Sequence, residues 1–421
     1  MRQTKYFLKT LKEKPKDEPS VNAEFLIRGG FVDKLMSGVY SYLPVGFRVL
    51  NNIKRIVREE MDKLGTHELL MPALQPKELW QETGRWDEGK EIMFQFTGRS
   101  GKGVGLGWTH EEVITDIVRT RIKSYKDLPV ALYQIQDKFR NEPRAKSGLL
   151  RGIEFSMKDL YSFHKDNNDF EEFYEKVKTA YLVIFKRCGL DSIITEASGG
   201  DFTEKFSHEF QVACPTGEDT VIHCTDCDFS KNKEIVDKKE LKDVCPKCGS
   251  KLKAENAIEV GNIFPLETKY SHQMKAVYTD ENGKQQPVIM GCYGLGPSRV
   301  MGSIVEVHHD EKGIIWPWEI APFKIHLVGI GLDDAVVKKQ ATAIYNVLNK
   351  KYADNVLFDD RENKTAGAKL ADSDLIGLPI RIVVSPKTLE KQSFEIKRRK
   401  ETDSKLMKIK RLEEAIEDYY V

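Results

Sequence analysis

The chain has 421 residues, with 66 Lys+Arg against 65 Asp+Glu, a net charge of +1 and 40% hydrophobic residues. At ~150 residues per domain this is about three domains' worth of chain. The balanced charge excludes a histone-like or polybasic-tail protein, and the apolar content excludes wholesale disorder. Any affinity for nucleic acid must come from local patches, because a large chain can offset a basic face with acidic residues elsewhere. Met1 to Pro15 never builds the apolar core of a signal peptide, and no run approaches the ~18 apolar residues of a membrane span, so the chain reads as cytoplasmic and free of membrane. Seven cysteines in such a reducing compartment argue against a disulfide framework, and four of them fall in two close pairs.

In chain order, apolar residues recur every three or four positions from Val45 to Leu64, and Gly65 follows. That spacing predicts an amphipathic helix with a glycine stop. Leu69, Leu70 and Met71 ahead of Pro72 read as a short buried strand, since proline withholds a ladder donor. Between Leu132 and Phe163 the pattern changes to short strand-like segments around a charged loop. Asp169 to Cys188 predicts a second helix, with Phe170, Phe173, Val177, Ala180 and Ile184 on one face, Asn168 or Asp169 as N-cap and Gly189 as terminator. Residues 217–256, rich in lysine and aspartate and carrying both cysteine pairs, read as an insertion with its own fold. Beyond Pro322, Lys324 to Ile330 reads as a strand, Asp334 to Lys351 as a helix and Ile380 to Ser385 as a strand, a βαβ-type pattern. The expected organisation is an α+β core over 1–216 and 257–321, the insertion over 217–256, and a separate α/β domain over 322–421.

Phe139-Arg140-Asn141-Glu142 and Arg151-Gly152-Ile153-Glu154-Phe155 would form an antiparallel hairpin around a loop holding Pro143, Arg144, Lys146 and Gly148. Side chains two or four apart on a strand share a face, so Arg140 would point with Glu142, and Arg151 with Phe155. Such a face offers what a nucleotide needs: cations for phosphate oxygens, an acceptor for the adenine amino group and a flat ring for stacking. The plainer reading is a solvated hairpin with surface ion pairs. Gly291-Cys292-Tyr293-Gly294-Leu295-Gly296 leads into Arg299. Its small residues allow close backbone approach, and Arg299 opens a helix whose N-terminal dipole would favour a phosphate. The spacings of a P-loop or a dinucleotide fingerprint are absent. Cys224-x-x-Cys227 and Cys245-x-x-Cys248 have the spacing of a four-thiolate zinc site of ribbon type, structural because no coordination position stays open. Two redox dithiols are the alternative, although no thioredoxin-like βαβ surrounds either pair.

Phe139-Arg-x-Glu, Arg151-x-x-x-Phe155 and the glycine-rich strand ending in Arg299 resemble motifs 2 and 3 of class II aminoacyl-tRNA synthetases, and the helix and strand ending at Pro72 resemble motif 1. Thr109-His-Glu-Glu-Val-Ile-Thr-Asp, Tyr133-Gln-Ile-Gln-Asp-Lys-Phe-Arg, Met157-Lys-Asp-Leu-Tyr-Ser-Phe-His, Ser207-His-Glu-Phe-Gln and Glu259-Val-Gly-Asn-Ile-Phe are similar to the bacterial prolyl-tRNA synthetase family, of class IIa. The resemblance runs along the whole chain apart from 217–256. It implies an antiparallel-sheet catalytic domain with a small zinc-ribbon-like insertion, and a C-terminal anticodon-binding domain carrying Asp359-Asp-Arg-Glu and Gly367-Ala-Lys-Leu-Ala-Asp-Ser-Asp. It also implies activation of L-proline with ATP to prolyl-adenylate, with Mg2+ on the phosphates, transfer to the 3′ end of tRNA(Pro), and a homodimer built on motif 1.

By the same resemblance Glu111 pairs with the proline nitrogen and Thr109 supplies a hydroxyl contact, although Thr109-x-x-Glu112 is also a capping box. Arg140 bridges the proline carboxylate and the α-phosphate, Glu142 reads the adenine amino group, and Phe155 stacks on adenine. Arg299 covers the other adenine face and reaches the γ-phosphate, which leaves Arg140 and Arg299 as the catalytic pair. Arg151 is a further ATP-side residue. His208 and Cys292 match positions lining the proline pocket; a packed core role is the other reading of each. Glu209 is a candidate magnesium ligand. Many bacterial relatives carry a large editing domain where this chain has only 217–256, so no cis-editing of alanyl-tRNA is expected. The chain departs from the family pattern at Trp108, where proline is usual, at Ile153, where arginine is common, and over Gly200 to Phe206, which replaces a glycine-richer stretch. Lys397-Arg-Arg-Lys400 reads as an RNA patch or as a solvated face. Competing functions are a catalytically inactive synthetase-like RNA-binding protein, against which the intact Arg140, Glu142, Phe155 and Arg299 argue, and a threonyl-type enzyme, whose one-Cys, two-His zinc set is not apparent.

Overall fold

The computed structural model describes residues 1–16, 18–143, 147–236 and 244–419. Arg144 and Lys146 of the expected hairpin loop lie outside them. The chain divides into two compact units, one made of residues 36–39 and 53–303 and the other of residues 1–35, 40–52 and 304 onward.

The principal elements up to residue 307 are α1 (Pro44–Lys63), β1 (His67–Glu68), α2 (Glu111–Arg121), β2 (Val130–Phe139), β3 (Glu154–His164), α3 (Asn167–Arg187), β4 (Ser192–Ala197), β5 (Ser207–Ala213), β6 (Asp219–Cys224), β7 (Ser230–Asn232), β8 (Leu252–Glu267), β9 (Ile289–Leu295) and α4 (Pro297–Val307). The nine strands form one sheet in the order β5-β4-β7-β6-β8-β9-β3-β2-β1, with a further pairing of β5 on β8. All neighbours are antiparallel except β1 with β2 and the single bridge of β7 to β4. The middle strands are covered on both faces, so their apolar residues do not simply alternate with polar ones. On one face α3 packs Tyr174 on Tyr293 and Tyr181 and Phe185 on Phe210, with ring centroids 5.0–5.8 Å apart. On the other, Val113, Ile114 and Val118 of α2 share a core with Tyr161, Phe163 and Met290. Each such fully buried large side chain contributes about 1.5–3 kcal/mol of transfer free energy.

Helix α1 follows the expected period, burying Ile53, Ile56, Val57 and Met61, and stops at Gly65 with φ +74°. The strand expected at Leu69–Met71 is shorter and earlier, at His67–Glu68. Past it the ladder passes to a side chain: Leu69 N–H donates to the Tyr133 carbonyl at 2.8 Å, but Met71 N–H donates to Oε1 of Gln134 at 3.0 Å. Leu70 between them turns outward and is 75% exposed. Helix α3 starts earlier than expected because Asp166, not Asn168 or Asp169, is its N-cap, accepting from Asp169 N–H at 2.9 Å.

The motif hairpin is present with longer arms. Phe139 pairs with Glu154 and Lys138 with Phe155, so Arg140, Glu142 and Arg151 lie in the connection rather than on the strands. The segment 217–256 does not stand apart as its own fold. Its strands extend the main sheet, β6 pairing with the N-terminal half of β8 (Asp219 opposite Ala257, Cys224 opposite Leu252) and β7 touching β4. Antiparallel pairing carries this segment outward from the long strand β8, so the sheet and the cysteine knuckles share one backbone framework.

In the other unit β10 (Ile325–Gly329), α5 (Ala335–Lys351), β11 (Val356–Asp359), α6 (Ala366–Ile376), β12 (Ile380–Val384), β13 (Ser393–Arg398) and β14 (Lys405–Lys408) build a five-stranded sheet in the order β11-β10-β12-β13-β14. The first three strands are parallel, as the βαβ pattern requires, and the last two antiparallel. Asp334 caps α5 by accepting from Val336 and Val337 at 2.7 and 3.1 Å. Lys397-Arg-Arg-Lys400 is neither a basic patch nor a solvated face as a whole. Lys397 and Arg399 are buried; Lys397 donates to the Glu401 carbonyl, and Arg399 grips both oxygens of Asp310 at 2.6 and 2.7 Å. No helix of the described residues is long and apolar enough to cross a membrane.

Candidate active site

Two cavities of about 240 and 230 Å3 lie side by side in the first unit and share Arg140, Glu259 and Arg299 in their walls. The first continues past Glu142, Arg151, Glu218 and Asp219 and is lined mainly by polar side chains, with Leu150, Ala257 and Ile258 among them. The second ends on Thr109, Glu111, Asp159 and Cys292, with Phe155, Met157, Phe202 and Phe264 as apolar walls. The period of two on β3 explains part of this lining, because Phe155, Met157, Asp159 and Tyr161 all rise from one face. Gly294 keeps the floor open: a Cβ there would meet nothing nearer than the Asn262 carbonyl at 3.8 Å.

Arg140 follows directly on β2, its N–H donating to the Ile153 carbonyl at 2.8 Å and its guanidinium lying 5.2 Å from the Phe155 ring centroid. Its Nε has no hydrogen-bond partner among the described residues. Burial, and then the neighbouring Arg299, pull its pKa below the ordinary guanidinium value. Two like charges enclosed together are unfavourable on their own and favourable with an anion between them. Arg299, in the first turn of α4, donates to Oε2 of Glu259 at 2.8 Å and to the Leu150 carbonyl at 2.9 Å. The expected face-sharing is replaced by two pairs, Arg140 with Phe155 and Glu142 with Arg151, the latter at 2.9 Å. Arg151 is exposed and also reaches Glu218 at 3.0 Å.

Glu111, the first residue of α2, has no exposed surface. Its Oε2 accepts from the Thr109 hydroxyl at 2.6 Å and Arg85 at 3.3 Å, and its Oε1 from the Tyr161 hydroxyl at 3.3 Å and the Cys292 thiol at 3.4 Å. The capping box is not formed. His110 occupies the N-cap position without a side-chain cap, Thr109 turns to Glu111, and Glu112 turns to Thr83 and Arg85. His208 does not line either cavity. It sits on β5 against the Tyr174 hydroxyl at 2.9 Å, its pKa pushed down to about 4 by burial and by Lys178. Glu209 also stays outside both cavities, accepting from Gln211 and Asn232 at 2.8 and 3.0 Å, while burial and Glu259 push its carboxyl up to about 8.

Three features escaped the sequence. Arg85 is buried among the rings of Trp80, Trp108, Phe202 and Tyr270, 4.6–5.4 Å from their centroids, and bonds Glu112 at 2.9 and 3.1 Å. Lys138, fully buried, pairs with Asp159 at 2.7 Å, whose other oxygen accepts from Gln134 at 2.9 Å. Glu259 holds Arg299. Asp159 carried a local signal, through its two-residue spacing from Phe155 and Tyr161 on a strand, whereas Lys138 and Glu259 fell within family-like segments that gave them no role.

The cysteine pairs converge. Ligand atoms of Cys224, Cys227, Cys245 and Cys248 all lie within 4.8 Å of one another, with Cys224 3.5 Å from Cys248 and Cys227 3.6 Å from Cys245. A tetrahedron of sulfurs at ~2.3 Å from a central zinc has edges of about 3.8 Å, which these separations fit. All four thiols are free, and the close approaches run between the two knuckles, which two independent dithiols would not require.

The chain matches the family described as tRNA synthetase class II core domain (G, H, P, S and T) over residues 94–308, and Anticodon binding domain over 320–419. It is 42% identical to the Proline–tRNA ligase of Wolbachia sp. subsp. Drosophila simulans (strain wRi), covering all of this chain and 99% of that protein. The chain belongs to the proline–tRNA ligase family. A family member from Ehrlichia ruminantium (strain Gardel) is 39% identical over 97% of each chain. One from Dehalococcoides mccartyi (strain BAV1) is 32% identical over an alignment of 561 residues that spans 99% of this chain and 98% of that protein, so it carries a long segment without counterpart here. The fold is that of Giardia lamblia prolyl-tRNA synthetase in complex with prolyl-adenylate, with a TM-score of 0.77 at 19% identity, covering 94% of this chain and 77% of that one. Cryptosporidium parvum prolyl-tRNA synthetase complexed with L-proline and AMP gives 0.76 at 17%, covering 95% and 74%. The class II antiparallel sheet and the C-terminal anticodon-binding domain are thus those of the family.

Proposed function

We propose that the chain is an active proline–tRNA ligase, joining L-proline to ATP as prolyl-adenylate and passing the prolyl group to the 3′ end of tRNA(Pro). The observation that carries this is the confluence of the two cavities at Arg140 and Arg299, with the apolar branch ending on the buried carboxylate of Glu111. A free proline offers one secondary ammonium, one carboxylate and a small apolar ring. Glu111, steadied by Thr109, suits the ammonium; Phe202, Phe264, Met157 and Cys292 suit the ring; Arg140 suits the carboxylate.

In this reading the triphosphate enters through the polar branch with its magnesium ions as part of the substrate. A carboxylate oxygen of proline attacks the α-phosphorus in line, the bond to the bridging oxygen breaks, and pyrophosphate leaves. Arg140 stabilises the charge shared by carboxylate and α-phosphate, and Arg299 that of the departing phosphates. Phe155 stacks on adenine, Glu142 accepts from its amino group, and Arg151 fixes Glu142. A ribose hydroxyl of the tRNA then attacks the adenylate carbonyl and AMP leaves. Positioning accounts for most of the rate, and no covalent enzyme intermediate is needed.

The four cysteines would hold a structural zinc, which cross-links the two knuckles when bound. We assign 1–216 and 257–321 to the catalytic core, 217–256 to an annexed zinc segment without cis-editing activity, and 322–421 to anticodon binding, in a cytoplasmic homodimer. Proline-dependent exchange of labelled pyrophosphate into ATP tests the reading. Strong exchange with proline alone supports it. No exchange would favour the inactive RNA-binding alternative, and exchange driven by threonine a sister specificity.

A further inference from the structure

We propose that Arg85 sets the charge of the amino-acid pocket: by neutralising Glu112 it leaves Glu111 as one ionised carboxylate for the substrate's secondary ammonium. This rests on the function proposed above. Glu111 and Glu112 are consecutive, and neither has exposed surface. Two neighbouring carboxylates in a dry site do not both ionise unless a cation joins them. Arg85 is that cation: Nη1 lies 2.9 and 3.1 Å from the two oxygens of Glu112 and 3.3 Å from Oε2 of Glu111. The trio carries one net negative charge, and it faces the cavity through Glu111, the member that lines it. The four aromatic rings around the guanidinium favour the cation and keep water from screening it.

The other groups that face Glu111 cannot replace Arg85. Thr109 and Tyr161 are hydroxyl donors, and Cys292 is a thiol whose pKa burial pushes well up. Tyr270 is held neutral by the same cause, and His110 is neutral with a pKa of about 4. Lys138 is committed to Asp159, and Arg140 stands beside Arg299 at the junction of the cavities. Burial pushes the Glu112 carboxyl up and Arg85 opposes that push, so losing Arg85 would let one proton settle on the carboxylate pair. Arg85 is therefore a positioning residue, acting on substrate through Glu111.

The test measures proline and ATP KM in pyrophosphate exchange between pH 6 and 8.5 for the unaltered protein, Arg85→Met, Glu112→Gln and the double variant, with thermal unfolding as the check on folding. The unaltered protein should show a proline KM nearly constant with pH. Arg85→Met should raise proline KM only about twofold, with little change between pH 6 and 8.5 and with ATP KM unchanged, because the one proton on the pair is shared and still leaves one carboxylate ionised. Glu112→Gln should also raise proline KM, without pH dependence, because Arg85 then cancels Glu111. The double variant should return proline KM to within about fivefold of the unaltered protein, since one carboxylate remains unpaired. The proposal is overturned if Glu112→Gln leaves proline KM unchanged, or if the folded double variant is no better than the worse single variant. If Arg85→Met does not fold, those two comparisons still decide. Absence of proline-dependent exchange in the unaltered protein would instead remove the proposed function.

Discussion

Replacing Lys138 with Met leaves Asp159 buried with Gln134 as its one remaining hydrogen-bond partner among the described residues, donating at 2.9 Å. Lys138 has no exposed surface, Asp159 is 2% exposed, and the pair is 2.7 Å apart. Removing one member of a buried pair typically costs about 3–5 kcal/mol, because the remaining charge stays desolvated. For a unit of this size about 1 kcal/mol moves Tm by roughly 2–4 °C, so a fall of about 10 °C is expected in the transition of the sheet-bearing unit. Lys138→Met combined with Asp159→Asn should recover most of the loss. Differential scanning calorimetry at pH 7.5 measures both; a Tm within 2 °C of the parent for Lys138→Met, or no recovery in the double variant, would refute the reasoning.

Glu111→Gln should raise proline KM about a hundredfold, roughly 3 kcal/mol for a charge-assisted bond in a dry pocket, while ATP binding alone is untouched. Metal analysis should find one zinc per chain, and chelation or Cys245→Ser should release it and lower Tm, because the metal ties together two knuckles otherwise bridged by the exposed Lys247–Asp228 ion pair. Incubation with alanyl-tRNA(Pro) should show no deacylation above the spontaneous rate; cleavage comparable to that of relatives with an editing domain would contradict the assignment of 217–256.

What could be read from the sequence depended on whether the signal was local. Helix α1 and the βαβ plan were legible because period and caps lie within one element. The hairpin motif was legible as a pattern, but its strands end at Phe139 and restart at Glu154, since the connection satisfies Arg140 through the Ile153 carbonyl rather than through a regular ladder. Residues 217–256 looked autonomous from composition, yet β6 pairs with a strand that also pairs with β5 and β9, a relation no local window contains. Thr109 satisfied the spacing of a capping box, and the buried carboxylate of Glu111 won its hydroxyl instead. His208 shows the opposite failure: a motif match placed it in the pocket, while pairing with Ile263 turns it toward Tyr174. Arg85 carried no signal at all, because burial of a lone arginine among aromatic rings depends on contacts from four separate segments.

The proposed chemistry needs two guanidiniums to meet one triphosphate. A crystal structure of the protein with proline and a non-hydrolysable ATP analogue measures that directly. It should show Arg140 and Arg299 within about 3.2 Å of phosphate oxygens of the same nucleotide, and Glu111 at the same distance from the proline nitrogen. A nucleotide bound with either arginine turned away from its phosphates would contradict the account.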